Sequence, residues 1–382
     1  MKMIKKLGFG CMRLPLLDKA DQTAVDMDAF KALVDAFLER GFTYFDTALT
    51  YHSYKSEEFV REALVERHAR DSFLLATKLP PRMLKAEEDQ EKIFSEQLQK
   101  CGVEFFDYYL LHNIGATAYQ QAVQHHSFDF VQRKKKEGRI RNVGMSFHDA
   151  PELLDEILAA HHRDLYFVQL QINYIDWENP GIQSRRCHEV ARKYAMPIIV
   201  MEPCKGGNLV RLPAEAEAMM KAYAPEASIP SWAIRFAASQ EGVFMVLSGM
   251  NSMEQVLDNT SYMADFQPLN DEELAIIGKA TDLINADAAI ACTNCRYCVE
   301  HCPSGIPIPD YFALYNSSRR AITDNISSQF VYYLNLASTH GKASDCIACR
   351  ACEEACPQHL EISELMKDVS KTFDNGPGLP TR

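Results

Sequence analysis

Eight of the twelve cysteines in this 382-residue chain lie in two short stretches, CTNCRYCVEHCP at 292–303 and CIACRACEEACP at 346–357. Both read C-x2-C-x2-C-x3-C-P. At that spacing three thiolates can serve one iron–sulfur cubane, while the fourth, just ahead of the proline, points away to a neighbouring cluster. The pattern predicts two four-iron clusters with exchanged ligands. Cys292, Cys295 and Cys298 would share the first with Cys356, and Cys346, Cys349 and Cys352 would share the second with Cys302. Structural zinc is the competing use, but it takes two CxxC pairs set apart, whereas here a full four-cysteine motif occurs twice. The 43 residues between the motifs have a helical pattern and read as spacer helices. Cys11, Cys101, Cys187 and Cys204 are scattered. Cysteines crowded at close spacing in a long chain point to metal rather than to a secreted disulfide framework, and hence to a reducing cytoplasm.

A second set of reactive types lies far upstream. Asp46, Lys78 and His112 each close an apolar run, TYFDT (43–47), SFLLATK (72–78) and FDYYLLH (106–112). Tyr51 follows Asp46 by five residues, close enough for a short loop to bring its hydroxyl back over the same end. Any one of these residues is more often a satisfied strand-end side chain than a catalyst. A carboxylate, a phenol, an amine and an imidazole at successive strand ends form a catalytic constellation.

The elements that must hold these groups are strands alternating with helices. LGFGC (7–11) precedes those three runs, and IRNVGMS (140–146), YFVQLQ (166–171), PIIVME (197–202) and VFMVLS (243–248) follow them. Between them lie amphipathic patterns such as DAFKALVDAFLERG, with apolar residues recurring at three and four. Eight strand–helix units over about 260 residues match a (β/α)8 barrel, whose catalytic groups gather where the strands end. A doubly wound open sheet is the rival, but no G-x-G-x-x-G follows the first strand. The fold class expected is α/β: a TIM barrel over residues 1–264, then a small, mainly helical ferredoxin-like domain over 265–382.

The order FDTALTY, LLATKL, DYYLLH and GRIRNVGMS resembles the aldo-keto reductase family across residues 5–264, and the tail resembles helical ferredoxin-type domains with two 4Fe-4S clusters. The resemblance implies a nicotinamide-dependent oxidoreductase. Tyr51 would protonate a carbonyl oxygen as hydride reaches carbon. Lys78 would lower the phenol's pKa, Asp46 would keep Lys78 charged, and His112 would orient the substrate oxygen. Ser146 and Gln169 match the groups that hold the nicotinamide carboxamide, with Phe147 where the family often has Asn. Met201 stands where many members stack an aromatic ring. Glu202, Pro203, Cys204, Lys205 and Gly206 match the loop near the pyrophosphate, with Lys205 as its cation. Gly249, Asn251, Gln255 and Asn259 fall on the adenosine side. Some members carry an arginine for the 2′-phosphate at the position of Gln255, so NADP(H) and NAD(H) both stay open. The first strand starts within ten residues, leaving no room for the β-hairpin that closes the barrel bottom in many members.

Composition bounds the partners. A formal charge of -12 argues against nucleic acid, because phosphate binding needs a basic face. The lone basic run, RKKKEGRIR at 133–141, reads as a helix end stopping at Gly138. No apolar run is long enough to span a bilayer, and the basic start MKMIKKLGFG lacks the apolar core of a secretory signal. The histidine pairs at 125–126 and 161–162 read as solvated helix ends. Trp177 either lines the substrate mouth or packs under a loop. The partners expected are a small carbonyl substrate and a one-electron donor or acceptor protein. The alternative function is an iron–sulfur electron carrier whose barrel keeps nucleotide only as a sensor or scaffold. An intact catalytic constellation argues against it.

Overall fold

The computed structural model describes residues 5–286, 288–319 and 328–375. Eight parallel strands close into a barrel in sequence order. They are β1 (Leu7–Gly10), β2 (Tyr44–Asp46), β3 (Leu74–Leu79), β4 (Phe106–Ile114), β5 (Ile140–Phe147), β6 (Phe167–Gln171), β7 (Ile198–Met201) and β8 (Val243–Ser248). The outer helices are α1 (Met27–Glu39), α2 (Ser56–Val60), α3 (Asp89–Cys101), α4 (Ala116–Gln124) and α5 (Ser127–Lys136). They continue with α6 (Pro151–His161), α7 (Ser184–Lys193), α8 (Ala214–Tyr223), α9 (Ile229–Ser239) and α10 (Met253–Ala264). Each expected strand is present with ends moved by at most a few residues.

Strand periodicity explains which groups reach the rim. Tyr44, Ala76, Tyr108, Leu110, Phe167, Ile199 and Met245 pack with one another inside the barrel. Side chains on a strand alternate faces, so two residues beyond these, Asp46, Lys78, His112, Gln169 and Met201 also point inward, one layer nearer the open end. Gly144 makes room for this filling. A Cβ there would lie 2.4 Å from the Phe167 ring. The other strand face meets the helices in a larger core that includes Phe9, Phe37, Phe45, Phe94 and Trp232.

Beyond α10 the chain continues as α11 (Asp271–Ala286), α12 (Tyr297–Glu300), α13 (Ile308–Arg319), α14 (Ser328–Thr339), α15 (Ala351–Glu354) and α16 (Ile362–Phe373). α11 packs Ile276, Ile277, Ala280 and Ile284 into the barrel's core, and Arg235 of α9 holds its Glu273 at 2.7 Å. A separate core joins Ile182, from the loop after β6, to residues from Ile290 onward, among them Tyr311, Phe312, Tyr333, Met366 and Phe373. The spacer between the cysteine motifs is helical in α13 and α14, as the pattern implied. Among the described residues, no helix is long and apolar enough to cross a membrane.

Two lesser expectations meet the structure differently. The basic run does end α5, with Gly138 at φ 76°, but Lys134 is buried and bonded to Glu137 at 2.8 Å. The histidine pairs do lie at helix ends, yet His125 is buried and the His161 ring stacks on Phe128 at 3.7 Å. His126 is exposed as expected, while the His161 ring serves as packing surface.

Candidate active site and cluster pockets

β2, β3 and β4 deliver three of the four expected catalytic groups side by side, and the loop after β2 returns the fourth. Lys78 Nζ lies 2.5 Å from Asp46 Oδ1, 2.7 Å from the Thr47 carbonyl and 3.4 Å from the Tyr51 hydroxyl. Lys78 and Asp46 are buried, whereas Tyr51 and His112 are half-buried above them. Their rings meet edge-on, with centroids 6.0 Å apart. Asp46 Oδ2 has no partner among the described residues.

The electrostatics follow from this stacking. Burial alone would lower the Lys78 amine, but the charges of Asp46 and Tyr51 and their hydrogen bonds outweigh it and hold the amine above its ordinary value. Burial likewise raises the Tyr51 phenol, and the pull of Lys78 only partly offsets it, so the phenol stays above 10.0. Lys78 does pull the phenol down as expected, but burial, which desolvates the phenolate, outweighs that pull. His112 is driven well below its usual range by burial, then by the charges of Lys78 and His148. It is a neutral imidazole, suited to hydrogen bonding with a carbonyl oxygen.

On the neighbouring strands, Ser146 Oγ accepts from the Asn113 backbone at 2.8 Å, and Gln169 Nε2 donates to the Met201 thioether at 3.4 Å. Gln169 Oε1 and Asn113 Oδ1 are buried acceptors with no partner among the described residues. Two unpaired acceptors beside Ser146 fit a primary carboxamide, which brings two N–H donors of its own.

Glu202, Pro203, Cys204, Lys205 and Gly206 form a tight turn after β7, with positive φ at Glu202 (57°), Lys205 (49°) and Gly206 (67°). The Lys205 ammonium turns inward to the fully buried Asp176, so it is committed to the fold. The cation facing this turn is Arg13, from the loop after β1. It bonds Glu202 at 3.1 Å, and its guanidinium lies 3.3 Å from where a Gly206 Cβ would be. Its Cβ lies 3.4 Å from the corresponding point at Gly249. Burial and then the Glu202 charge push the Cys204 thiol up to about 12, so it is not a nucleophile. On the adenosine side, Gln255 Oε1 accepts from the Asn251 backbone at 2.8 Å, and Asn259 donates to Ser248 Oγ at 3.1 Å. Ser252 caps α10.

Arg13, Asn113 and His148 are the rim residues that sequence reasoning passed over. Arg13 stands in a turn with no periodicity to mark it, and Asn113 and His148 sit just past the expected ends of runs, 112 and 146, that had already yielded a candidate. A count of every polar residue within two positions of a strand end would have found the latter two. Trp177, in the loop after β6, packs edge-on against Phe236 at 5.7 Å and lines a cleft of about 810 Å³ between the barrel and the C-terminal domain.

The cysteines converge as the exchange pattern requires. Cys292, Cys295, Cys298 and Cys356 line one pocket, and Cys302, Cys346, Cys349 and Cys352 line another. The two motifs share a backbone: Asn294 and Ala348 have φ of 56° and 54°, and Arg296 and Arg350 have φ of 65° and 63°. Among the described residues, no three His, Cys, Asp or Glu side chains gather tightly enough for a single ion. Each pocket brings together four cysteines, the number of thiolates that a 4Fe-4S cluster takes. The Ile306 N–H donates to Cys302 Sγ at 3.4 Å.

Comparison with known proteins agrees with this geometry. Residues 291–360 match the 4Fe-4S dicluster domain model. An uncharacterized oxidoreductase of Bacillus subtilis, YqkF, is 22% identical over 73% of this chain and 93% of its own length. A Klebsiella pneumoniae aldo-keto reductase solved with NADPH superposes with a TM-score of 0.58 at 22% identity, covering 72% of this chain and 90% of its own. The holo form of a Bacillus halodurans aldo-keto reductase gives 0.57 at 23% identity, covering 72% of this chain and 91% of its own. These solved structures share the fold. The Aldo/keto reductase family model matches residues 6–282, which include the whole barrel, and the chain belongs to that family.

Proposed function

We propose that this protein reduces carbonyl compounds, or oxidises the corresponding alcohols, with a nicotinamide dinucleotide. One observation carries the reading: Lys78 hydrogen-bonds both Asp46 and Tyr51, and the His112 ring meets Tyr51 edge-on, all at the open end of the barrel. A bound nicotinamide supplies the hydride to the carbonyl carbon. The chain's own residues do the rest. Tyr51 gives its proton to the carbonyl oxygen, Lys78 stabilises the phenolate left behind, and Asp46 keeps Lys78 charged. His112 donates to the same oxygen and orients it.

The unpaired acceptors of Gln169 and Asn113, with Ser146, would hold the carboxamide, and Met201 would cover a ring face. Arg13, the turn at 202–206 and the segment of Gly249, Asn251, Gln255 and Asn259 would hold the dinucleotide beyond it. NADPH in the solved Klebsiella relative favours the phosphorylated form, although the position of Gln255 carries no cation for a 2′-phosphate. The eight motif cysteines would hold two 4Fe-4S clusters, which supply single electrons to or from a partner protein. Clusters of that kind belong in a reducing cytoplasm. We divide the chain at 264, where the strand–helix repeat ends, with α11 as a strap back onto the barrel.

The test is nicotinamide oxidation by anaerobically prepared protein over a panel of aldehydes and ketones, with NADPH and NADH in parallel. Turnover lost in Tyr51→Phe while nucleotide still binds supports the reading. Turnover that persists in that variant places the chemistry elsewhere.

A further inference from the structure

The cleft beside Trp177 shares a wall with one of the cysteine pockets. Cys292, Thr293, Pro309 and Gln358 line the space of about 810 Å³ between the barrel and the C-terminal domain. The same four residues line the pocket of Cys292, Cys295, Cys298 and Cys356. A molecule in the cleft would therefore rest against a cluster ligand. The volume is that of a small-molecule site.

A glycine leaves the cleft wide. Gly278 lies in the interior of α11 and lines the space, and a Cβ built on it meets nothing within 4 Å. Glycine inside a helix is less stable than alanine, and no close approach of backbone or side chain demands it here. Trp177 and Phe236, whose rings meet edge-on at 5.7 Å, give the cleft an aromatic face. The wall from the C-terminal domain is firm, because Asn316 of α13 bonds both backbone groups of Ile290 at 2.8 Å.

The lining also selects by charge. Among the described residues it contains no lysine, arginine or histidine. Its carboxylates are Glu178, which Arg185 holds at 2.7 Å, and Asp282. A nucleotide or a phosphorylated flavin would find no cation there for its phosphates. A neutral ring can stack on the aromatic face, while Thr281, Thr293 and Gln358 can donate to its oxygens.

Resting on the cluster reading above, we propose that this cleft binds a quinone, a neutral ring that accepts electrons one at a time. The electrons and protons balance. Two reduced clusters give one electron each, and two protons come from solvent, to which Asp282 on the lining is exposed. Both ring C=O groups become C–OH, and the product leaves as hydroquinone. A one-electron donor protein then reduces the two clusters again. This route uses neither nicotinamide nor the catalytic rim.

The experiment uses full-length protein with its clusters in place and 1,4-naphthoquinone as the probe. The chain has two tryptophans, and Trp232 is fully buried in the barrel's core, so Trp177 reports on the cleft. Naphthoquinone should quench the tryptophan emission saturably, and Trp177→Phe should remove the saturable part. Gly278→Phe, which puts a ring into the open space, should weaken the affinity by at least about tenfold through steric exclusion. Gly278→Ala should change it little. A second measurement mixes previously reduced protein with naphthoquinone in the absence of nucleotide, so that the barrel has no hydride to give. Reoxidation of the clusters should saturate with quinone in wild type and be slowed in Gly278→Phe. Hexaammineruthenium(III), which can take electrons at the exposed Cys295 and Cys349, should reoxidise both proteins alike.

Quenching that does not saturate, or that Gly278→Phe leaves unchanged, would overturn the proposal. So would saturable quenching by FMN and none by naphthoquinone, and so would equal slowing with both oxidants, since damage to the clusters affects both alike. Protein that contains no iron is a separate failure, that of the cluster reading, and it overturns the proposal from that side.

Discussion

The Lys205 ammonium and the Asp176 carboxylate meet as a fully buried ion pair beneath the turn that follows β7. Asp176 also accepts from Gln171 and Asn173, each at 2.7 Å, and Asn173 reaches on to the Glu202 carbonyl at 3.1 Å. The pair thus anchors the turn from inside, and the cation that faces outward from it is Arg13.

Breaking a buried pair from one side leaves an uncompensated charge. Lys205→Met should therefore destabilise the fold by about 3–5 kcal/mol, while Lys205→Met combined with Asp176→Leu should recover much of that. Nucleotide affinity of the folded fraction should change little, and Arg13→Ala should weaken it more. Urea unfolding and fluorescence titration with NADPH check this. A Lys205→Met variant of native stability that has lost nucleotide affinity would return Lys205 to the phosphates.

Tyr51 should act as an acid across the whole neutral range. Burial first, with Lys78 opposing, leaves its phenol above 10.0. For carbonyl reduction the proton must be present, so kcat/KM should stay flat through neutral pH and fall only as pH rises past that raised value. Tyr51→Phe should cost about 10²–10⁴-fold in turnover. A reduction rate that already falls between pH 7 and 8 would show that another group donates the proton.

The half-buried imidazole of His148 should make the fold acid-sensitive. Its value drops on folding from 6.5 to about 4, by burial and then by Lys78. As pH falls below 6.5, the unfolded chain takes up this proton while the native state does not, so stability declines through that window. The charge of Lys78 acts on both imidazoles, and His112, held well below its usual range, adds a decline of the same sign. His148→Gln should lessen the slope of unfolding free energy between pH 6.5 and 5. An unchanged slope would mean the native imidazole is already protonated.

Iron analysis of anaerobic protein should give about eight irons per chain, four for each set of thiolates. Cys302→Ala should damage the cluster nucleated by Cys346, Cys349 and Cys352, whose pocket it lines. Resonance Raman or electron paramagnetic resonance that shows only the other cluster disturbed would reverse the exchange.

A chain ending at residue 265 should bind nucleotide but be less stable than one ending at 286. The longer form keeps Ile276, Ile277 and Ile284 buried on the barrel, which is worth about 5 kcal/mol at roughly 1.5–3 kcal/mol per side chain. Equal thermal stability of the two would show that α11 is only a tether.

Much of this protein was legible along the chain because its determinants are local. Strand periodicity put Asp46, Lys78 and His112 on inward positions of consecutive strands, and a parallel barrel has one rim at which they can meet. The cysteine spacing implied the exchange of Cys302 and Cys356 because in this doubled motif the fourth thiolate points away to the other cluster. What the chain order concealed were pairings between distant residues of ordinary type. Lys205 looked available for phosphate, and only the fold brought Asp176 beneath it. Lys78 promised an acidified phenol, but how far burial would raise Tyr51 depends on what packs around it. The Asn335 amide of α14 bonds the His148 carbonyl across 187 positions, and the two residues carry no shared pattern at all. Their contact exists because α14 docks at once on the barrel loops of Arg82, Gly115 and His148, and docking of that kind is decided by surface shape and complementary hydrogen bonding, which no periodicity along a sequence encodes.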